Sequence, residues 1–249
     1  RIKSEFPQVH VHAFSPPEFI EFVNFFDPPG DSLKEKIRAV MGPLVEAGLD
    51  SVPGGGGEIF ADAVRRKIGL GKCTAEAWLT VMRVAHEFGL NTSATMMFGH
   101  IEGIADRIHH MDTVRRWQDD AIRELADDGG GRYHAFISWP FQPDNTPLGR
   151  LKEWGHGPGD DLADPYPGDA VARLDGSGRK NDHPEFGRRL RLAGSTAYLR
   201  TQALSRLYLD NIWSIGSSWV TMGPHIGQVG LRYGANDMGS VMMEENVVS

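Results

Sequence analysis

The chain has 249 residues, 40% of them hydrophobic and 24% charged, with a formal net charge of -7. This is the composition of a folded globular chain with enough length for a full core; no apolar run approaches the roughly 20 residues of a membrane span. The acidic balance also argues against a nucleic-acid surface, which needs clustered Lys and Arg, so a cytoplasmic enzyme with a small-molecule substrate, no nucleic acid and no membrane is the expectation.

Arg1, where a methionine would be expected, opens what reads as a helix leading to a strand. Val9 to Phe14 (VHVHAF) alternates as a strand and Ser15-Pro16-Pro17 stops it. A helical segment follows to Phe26. Asp31 or Ser32 then caps a helix to about Ala47, with Leu33, Ile37, Val40, Met41 and Leu44 at helical spacing, Pro43 inside it and Gly48 at its end. Leu49 to Pro53 reads as a short strand, Gly54 to Gly57 as its carboxyl-end loop, and Glu58 as the start of a helix to Ile68. Thr74 caps an amphipathic helix, AEAWLTVMRVAHEFG, whose Trp78–Met82 stripe belongs to the core.

The organising stretch is NTSATMMFGHIE, Asn91 to Glu102: a buried strand, Thr92 to Phe98, turning at Gly99-His100 into a long helix from Ile101 to Ala126. His109-His110 in that helix reads as solvated surface. Arg132 to Phe141 is the next strand. Residues 149–194 are rich in Gly, Pro, Asp and Arg and read as a long surface insertion, with a helix near Gly168 to Leu174. Ser195 caps a helix to Asn211; Ile212 to Val220 is a strand, Pro224 to Tyr233 a short helix, and Ala235 to Met243 a last strand-like unit.

Strand–helix alternation predicts an α/β fold with a parallel sheet, a partial TIM-type (β/α) barrel holding about six of the eight units, with the loop insertion set into it. Ligands bind at the carboxyl ends of such strands. There the sequence places His10, His12, Ser51, Thr95, His100, Glu102, Trp139, Gln142, Asn145, Trp219, Thr221, Asn236 and Asp237.

Several local signals are weaker. Gly69 to Thr74 lacks the first glycine and the hydroxyl of a phosphate loop and is rejected as one. Cys73 is the sole cysteine, so an intramolecular disulfide is excluded and the chain cannot by itself hold an iron–sulfur cluster or a structural zinc. Gly54 to Gly57 reads either as a backbone cradle for a ligand or as a turn followed by a carboxylate at a helix start. His10-x-His12 puts two imidazoles on one strand face, as metal ligands or as one surface and one core-edge histidine. No metal-ligand set is assigned.

GLDSVPGGGGEIF, WLTVMRVAHEFG, TSATMMFGHIE, FISWPFQPDNTPL and SSWVTMG…GQVGLRYGANDMGS…EENVV together resemble the radical S-adenosylmethionine enzymes of the futalosine route to menaquinone, the dehypoxanthine futalosine cyclases most closely. VPGGG, SWVTMG and GANDMGS favour the cyclase over aminofutalosine synthase and the deazaflavin-forming F0 synthase subunits. The resemblance covers the chain outside residues 149–194.

It implies that residues 1–249 form the carboxy-terminal part of a single radical S-adenosylmethionine barrel domain, shortened at the amino terminus. Thr95-x-Met97-x-Gly99-x-x-Glu102 matches the adenine-binding strand of that superfamily, with Ser51, Gly54, Gly55, Gly56, Glu58 and Arg65 as further cofactor-binding candidates. The cofactors implied are S-adenosylmethionine and a four-iron four-sulfur cluster. Cleavage of the former gives a 5′-deoxyadenosyl radical that takes hydrogen from the ribose C4′ of dehypoxanthine futalosine. The carbon radical then attacks the benzoate ring, and an electron and a proton are lost.

Trp139, Gln142, Asn145, Trp219, Thr221 and Asn236 are the substrate-cage candidates, Asp237 and His12 the candidate bases, and a cellular electron donor is the expected partner. The family's CxxxCxxC motif is absent from this sequence, so the chain alone is expected to be inactive. The competing readings are a metal-dependent hydrolase barrel using His10, His12, His100, His134 and Asp237, and a non-catalytic barrel relic or binding subunit.

Overall fold

A computed structural model describes residues 1–68, 73–144, 146, 148–149 and 192–239. The predicted helix near Gly168 and the body of the predicted insertion lie outside the described residues.

Among the described residues four parallel strands, β1 (Ser51–Val52), β2 (Asn91–Phe98), β3 (Tyr133–Pro140) and β4 (Ser214–Gly216), pair in their order along the chain. Parallel bridges extend this ladder at both edges, His12 to Ser51 and Gly216 to Asp237. The helices are α1 (Ile2–Glu5), α2 (Pro16–Phe26), α3 (Leu33–Glu46), α4 (Asp62–Ile68), α5 (Ala75–Glu87), α6 (Ile104–Leu125), α7 (Ser195–Tyr208) and α8 (Trp219–Gly230). Among the described residues no helix is long and apolar enough to cross a membrane.

Side-chain alternation gives the sheet two faces. Ala94, Met96 and Phe98 of β2 and Phe136, Ser138 and Pro140 of β3 are buried, and the register pairs them across the two strands. The other face carries Ser93, Thr95 and Met97 opposite Ala135, Ile137 and Trp139, and most of these are only half-buried. Trp78 of α5, fully buried, lies against Tyr133 and Phe60 with ring centroids 6.3 and 5.2 Å away. Its indole N–H donates to the Gly55 carbonyl at 2.9 Å, which ties the core to the glycine loop.

Local chemistry sets the helix starts. Ser32 and Glu35 form a reciprocal capping box on α3, each side chain taking the other's backbone N–H at 3.2 Å. Thr74 Oγ1 accepts from Ala77 N at 3.1 Å and starts α5.

The structure corrects several boundaries. Glu58 does not begin a helix: its φ is 46°, and its carbonyl accepts from Met97 N at 3.0 Å, which keeps this stretch on the edge of β2 until α4 starts at Asp62. The long helix begins at Ile104, three residues later than Ile101, because the Glu102 side chain is turned back onto the preceding amides. Ser195 is the first residue of α7 rather than its cap, and α7 ends at Tyr208. The predicted strand Ile212–Val220 shortens to β4. There Ser217 N bonds to Asp237 O, and the chain turns into α8 at Trp219. α8 is broken at Gly223 (φ 78°), just before Pro224 where the sequence placed a helix start. The predicted outer strands at Val9–Phe14 and Ala235–Met243 contribute one bridge each among the described residues.

His110 is a further correction. It is fully buried, stacked on Phe60 at 4.0 Å, rather than solvated. Burial, with the nearby Arg65 charge, pushes its pKa down to about 3 despite a bond to the Thr95 backbone. Burial, with Arg83, does the same to His86, whose Nε2 meets Thr92 Oγ1 at 2.8 Å. Each group binds a proton more readily unfolded than folded. Their stability contribution is therefore complete above about pH 6.5 and is lost as pH falls toward the folded values. Urea midpoints measured from pH 7 down to pH 4.5 should decline steadily, and a flat profile would exclude buried neutral imidazoles.

Candidate functional site

All the described strands run the same way, so their carboxyl ends share one edge of the sheet, and the loops there bring together several of the predicted residues.

Ser51 pairs with Asn91, the first residue of β2, and so stands at the amino end of that strand; it is buried, and its Oγ lies 2.7 Å from His10 Nε2 and 2.6 Å from His12 Nδ1. Burial, and then the neighbouring His10, hold the His12 pKa below the usual imidazole range. Ser51 is thus engaged by the two histidines, a contact that the sequence reading did not foresee.

The glycine loop packs on protein rather than standing open. A Cβ on Gly54 would sit 2.4 Å from the Ser93 carbonyl, one on Gly57 2.5 Å from that of Thr95, and one on Gly56 2.4 Å from Pro17. Ser93 Oγ accepts from Gly54 N at 2.9 Å, and Thr95 Oγ1 donates to the Gly54 carbonyl. Buried Arg65 donates to the carbonyls of Gly57 (2.7 Å), Gly56 (2.9 Å) and Cys73 (2.8 Å). Arg65 and Thr95 therefore act on the loop itself. Gly57→Ala should cost about 1–3 kcal/mol by forced displacement of the loop. Gly194→Ala, with open space around it, should stay within about 0.5 kcal/mol. Thermal unfolding of the two variants checks this, and equal midpoints would contradict the packing.

The β2 turn is held by a buried carboxylate. Gly99 takes φ 83°, a conformation that glycine adopts without strain. Glu102 is buried and accepts from Gly99 N (2.6 Å), His100 N (2.8 Å) and the Arg107 guanidinium (2.8 Å), with His100 Nδ1 at 3.1 Å. Burial pushes its pKa up, but His100, Arg107 and the two amides outweigh that and hold it below the ordinary value. Arg107 also stacks over Phe98 at 4.8 Å. Nothing in the sequence reading singled it out, although it stands one turn beyond Glu102.

Met97, on the half-open face opposite Trp139, packs with Ile68, Ile101 and Leu192 around Phe141 and Leu148, a small apolar cluster that Ile68 and Ile101 join to the main core. Gln142 Nε2 donates back to the Pro140 carbonyl at 3.2 Å. Asn145 lies outside the described residues.

After β4, Trp219 and Thr221 stand in the first turn of α8, not on a strand. Thr221 Oγ1 meets Ser218 Oγ at 2.7 Å. Buried Tyr198 accepts from Ser218 N at 2.7 Å and lies 3.1 Å from Ser217 Oγ, fixing this turn from beneath, a role with no local signal in the sequence.

Asn236 and Asp237 lie at the far edge. Asn236 uses its side chain on Ile215 N, Arg206 Nη2 and the Trp213 carbonyl, in the manner of a strand neighbour. Asp237 accepts from Gly239 N at 2.7 Å and Ser214 Oγ at 3.3 Å. His12 and Asp237 thus stand at opposite edges of the sheet. No group of three or more His, Cys, Asp or Glu suited to a metal ion occurs among the described residues, and the hydrolase set does not converge: His100 is buried on Glu102, and His134 lies against Trp213.

Residues 187–249 match the family described as the CofH/MqnC C-terminal region. The chain is 36% identical over 247 residues to the aminodeoxyfutalosine synthase of Thermus thermophilus, covering 99% of this chain and 53% of that protein. It is 35% identical over 248 residues to the cyclic dehypoxanthine futalosine synthase of Halalkalibacterium halodurans, covering 100% and 52%. Over 250 residues it is 31% identical to the 5-amino-6-(D-ribitylamino)uracil–L-tyrosine 4-hydroxyphenyl transferase of Methanococcoides burtonii, covering 100% and 56%. The chain spans about half the length of the curated relatives it matches.

Proposed function

We propose that this chain, which carries the CofH/MqnC C-terminal region, supplies part of a radical S-adenosylmethionine (β/α) barrel that converts dehypoxanthine futalosine to its cyclic form. Strand order supports the barrel: among the described residues consecutive strands are neighbours, with no reversal of the kind a doubly wound sheet contains. The observation that carries the reading is the shared edge, where the glycine loop beside Thr95, the Met97–Trp139 pair and the Trp219 turn lie together at the carboxyl ends of one parallel sheet.

The residues present fit the nucleoside end of S-adenosylmethionine. Met97 and Ile101 offer apolar surface beside the Gly99 turn, and Glu102 holds that turn rather than meeting the ligand. When bound, that cofactor supplies hydrogen abstraction. The iron–sulfur cluster does not fit this chain, whose single cysteine is half-buried Cys73, and no step is derived through it.

The protein's own share is positional. Trp139 and Trp219 confine the aromatic ring of the substrate, and the apolar cluster around Phe141 excludes water from the reacting carbon. The candidate acceptors of the proton lost when the ring closes are Asp237, level with Ile137 through Gly216, and His12, which pairs at the Asn91 end of the sheet.

A second reading, aminofutalosine synthase, has support in the 36% identity to that enzyme. Product analysis separates them. The full natural protein, reconstituted anaerobically with S-adenosylmethionine and a reductant, should yield the cyclic product from dehypoxanthine futalosine. Turnover only with the substrates of the synthase or of the hydroxyphenyl transferase would overturn the assignment.

A further inference from the structure

In an extended strand the N–H and the C=O of any one residue point to the same side. Met97 N donates to the Glu58 carbonyl at 3.0 Å, so the Met97 carbonyl also faces away from β3. On that side β1 pairs only as far as Thr92, and among the described residues no strand neighbour continues up to Met97.

The His100 ring takes that place. A carbonyl only accepts, so His100 Nε2, 3.1 Å from the Met97 oxygen, carries a hydrogen and donates it. The ring is fully buried and lies edge-on to Phe141, with centroids 6.1 Å apart. Its Nδ1 stands 3.1 Å from Glu102 Oε2 outside hydrogen-bond geometry, so the Nε2 bond is the ring's one hydrogen bond among the described residues. The backbone of the same residue is fixed as well. His100 N donates to Glu102 Oε2 at 2.8 Å, and Arg107 donates to the same carboxylate at 2.8 Å.

We propose that His100 is a positioning residue for the nucleoside end of S-adenosylmethionine, acting through the Met97 carbonyl. With Met97 N held by Glu58 and Met97 O held by His100, the peptide planes on both sides of Met97 are fixed. The direction of its Cα–Cβ bond follows, and the thioether stays on the half-open face opposite Trp139. Gly99 makes the arrangement possible, since its φ of 83° folds the chain back and brings the ring onto its own strand end. Solvent at the carbonyl would satisfy the same acceptor without fixing it.

The inference rests on the reading in which Met97 borders the nucleoside, and its first test needs no turnover. Imidazole nitrogen shifts, measured by NMR on the full natural protein, should show a slowly exchanging hydrogen on His100 Nε2. Addition of S-adenosylmethionine should move that resonance. A bare Nε2, or a resonance that saturating cofactor leaves unmoved, would overturn the proposal.

Two substitutions separate positioning from packing. His100→Gln keeps an amide donor near the place of Nε2, whereas His100→Asn offers one near that of Nδ1. Equilibrium dialysis of S-adenosylmethionine against the anaerobically reconstituted full protein should find His100→Gln close to wild type. His100→Asn should bind about threefold to tenfold more weakly, the weight of one hydrogen bond. KM for the cofactor should rise by the same factor, with kcat at saturating cofactor little changed. Urea unfolding of both variants shows whether they fold alike; where His100→Asn does not fold, the wild-type shifts decide. Wild type that binds no S-adenosylmethionine would refute the nucleoside reading and the role of His100 with it. Normal binding by wild type and by both folded variants would refute the positioning alone.

Discussion

Glu102→Ala is expected to destabilise the protein by about 3–5 kcal/mol, the usual cost of breaking a buried ion pair from one side. The carboxylate is 2% exposed and satisfies two backbone amides and the Arg107 guanidinium at once. Its removal leaves a buried cation and two amides without an acceptor. The β2 turn would then lose the contact that holds Gly99 at φ 83°. The sign of the pH effect follows from the depressed pKa. The contribution of Glu102 is present above the unfolded value of about 4.3 and disappears as pH falls through the folded value. Urea unfolding of wild type and Glu102→Ala at pH 7 should differ by the full amount, and the gap should close in acid. A loss below about 1 kcal/mol at pH 7 would mean that the pair offsets only its own desolvation.

Trp78→Ala should cost a similar 3–5 kcal/mol, the range for deleting a buried large aromatic. The indole fills the space between α5 and the sheet, against Tyr133 and Phe60, and its N–H holds the Gly55 carbonyl. Trp78→Phe separates the two contributions: it keeps most of the packing and drops the hydrogen bond, for about 1 kcal/mol. The Phe variant should therefore fold nearly as well as wild type while its glycine loop exchanges amide protons faster. Equal loop protection in both proteins would show that packing of Gly54 and Gly57 on β2 holds the loop without Trp78.

The parts of the fold legible in the sequence are those whose residues bury one regular face. The α5 stripe and the alternation of β2 and β3 each place many side chains against the core, and their limits came out within a residue or two. Boundaries failed where a single tertiary bond overrides local preference. Glu58 continues the β2 edge through Met97 N, and Glu102 delays α6 by turning back on its own turn. Among the described residues the outer strands are reduced to the bridges at His12 and Asp237, because a strand pattern needs a paired neighbour to become a ladder.

His110 was misread as one of two adjacent polar residues. The spacing of Arg107, His110, Met111, Val114, Gln118 and Ala121 shows that it belongs to the buried stripe of α6. At the site, the sequence supplied the strand-end residues but not their partners. Ser51 with two histidines and Asn236 as a strand neighbour are contacts between residues far apart in the chain, and Arg65 reaches loop carbonyls eight and nine residues back, none of which composition and spacing encode.

The central claim is that this sheet edge presents the ribose of dehypoxanthine futalosine for hydrogen removal. The most direct test is to supply the full natural protein with that substrate deuterated at C4′ and to examine the 5′-deoxyadenosine formed. The account predicts deuterium in the 5′-deoxyadenosine together with a cyclic product that has lost it from C4′. Unlabelled 5′-deoxyadenosine beside a fully deuterated substrate would contradict it.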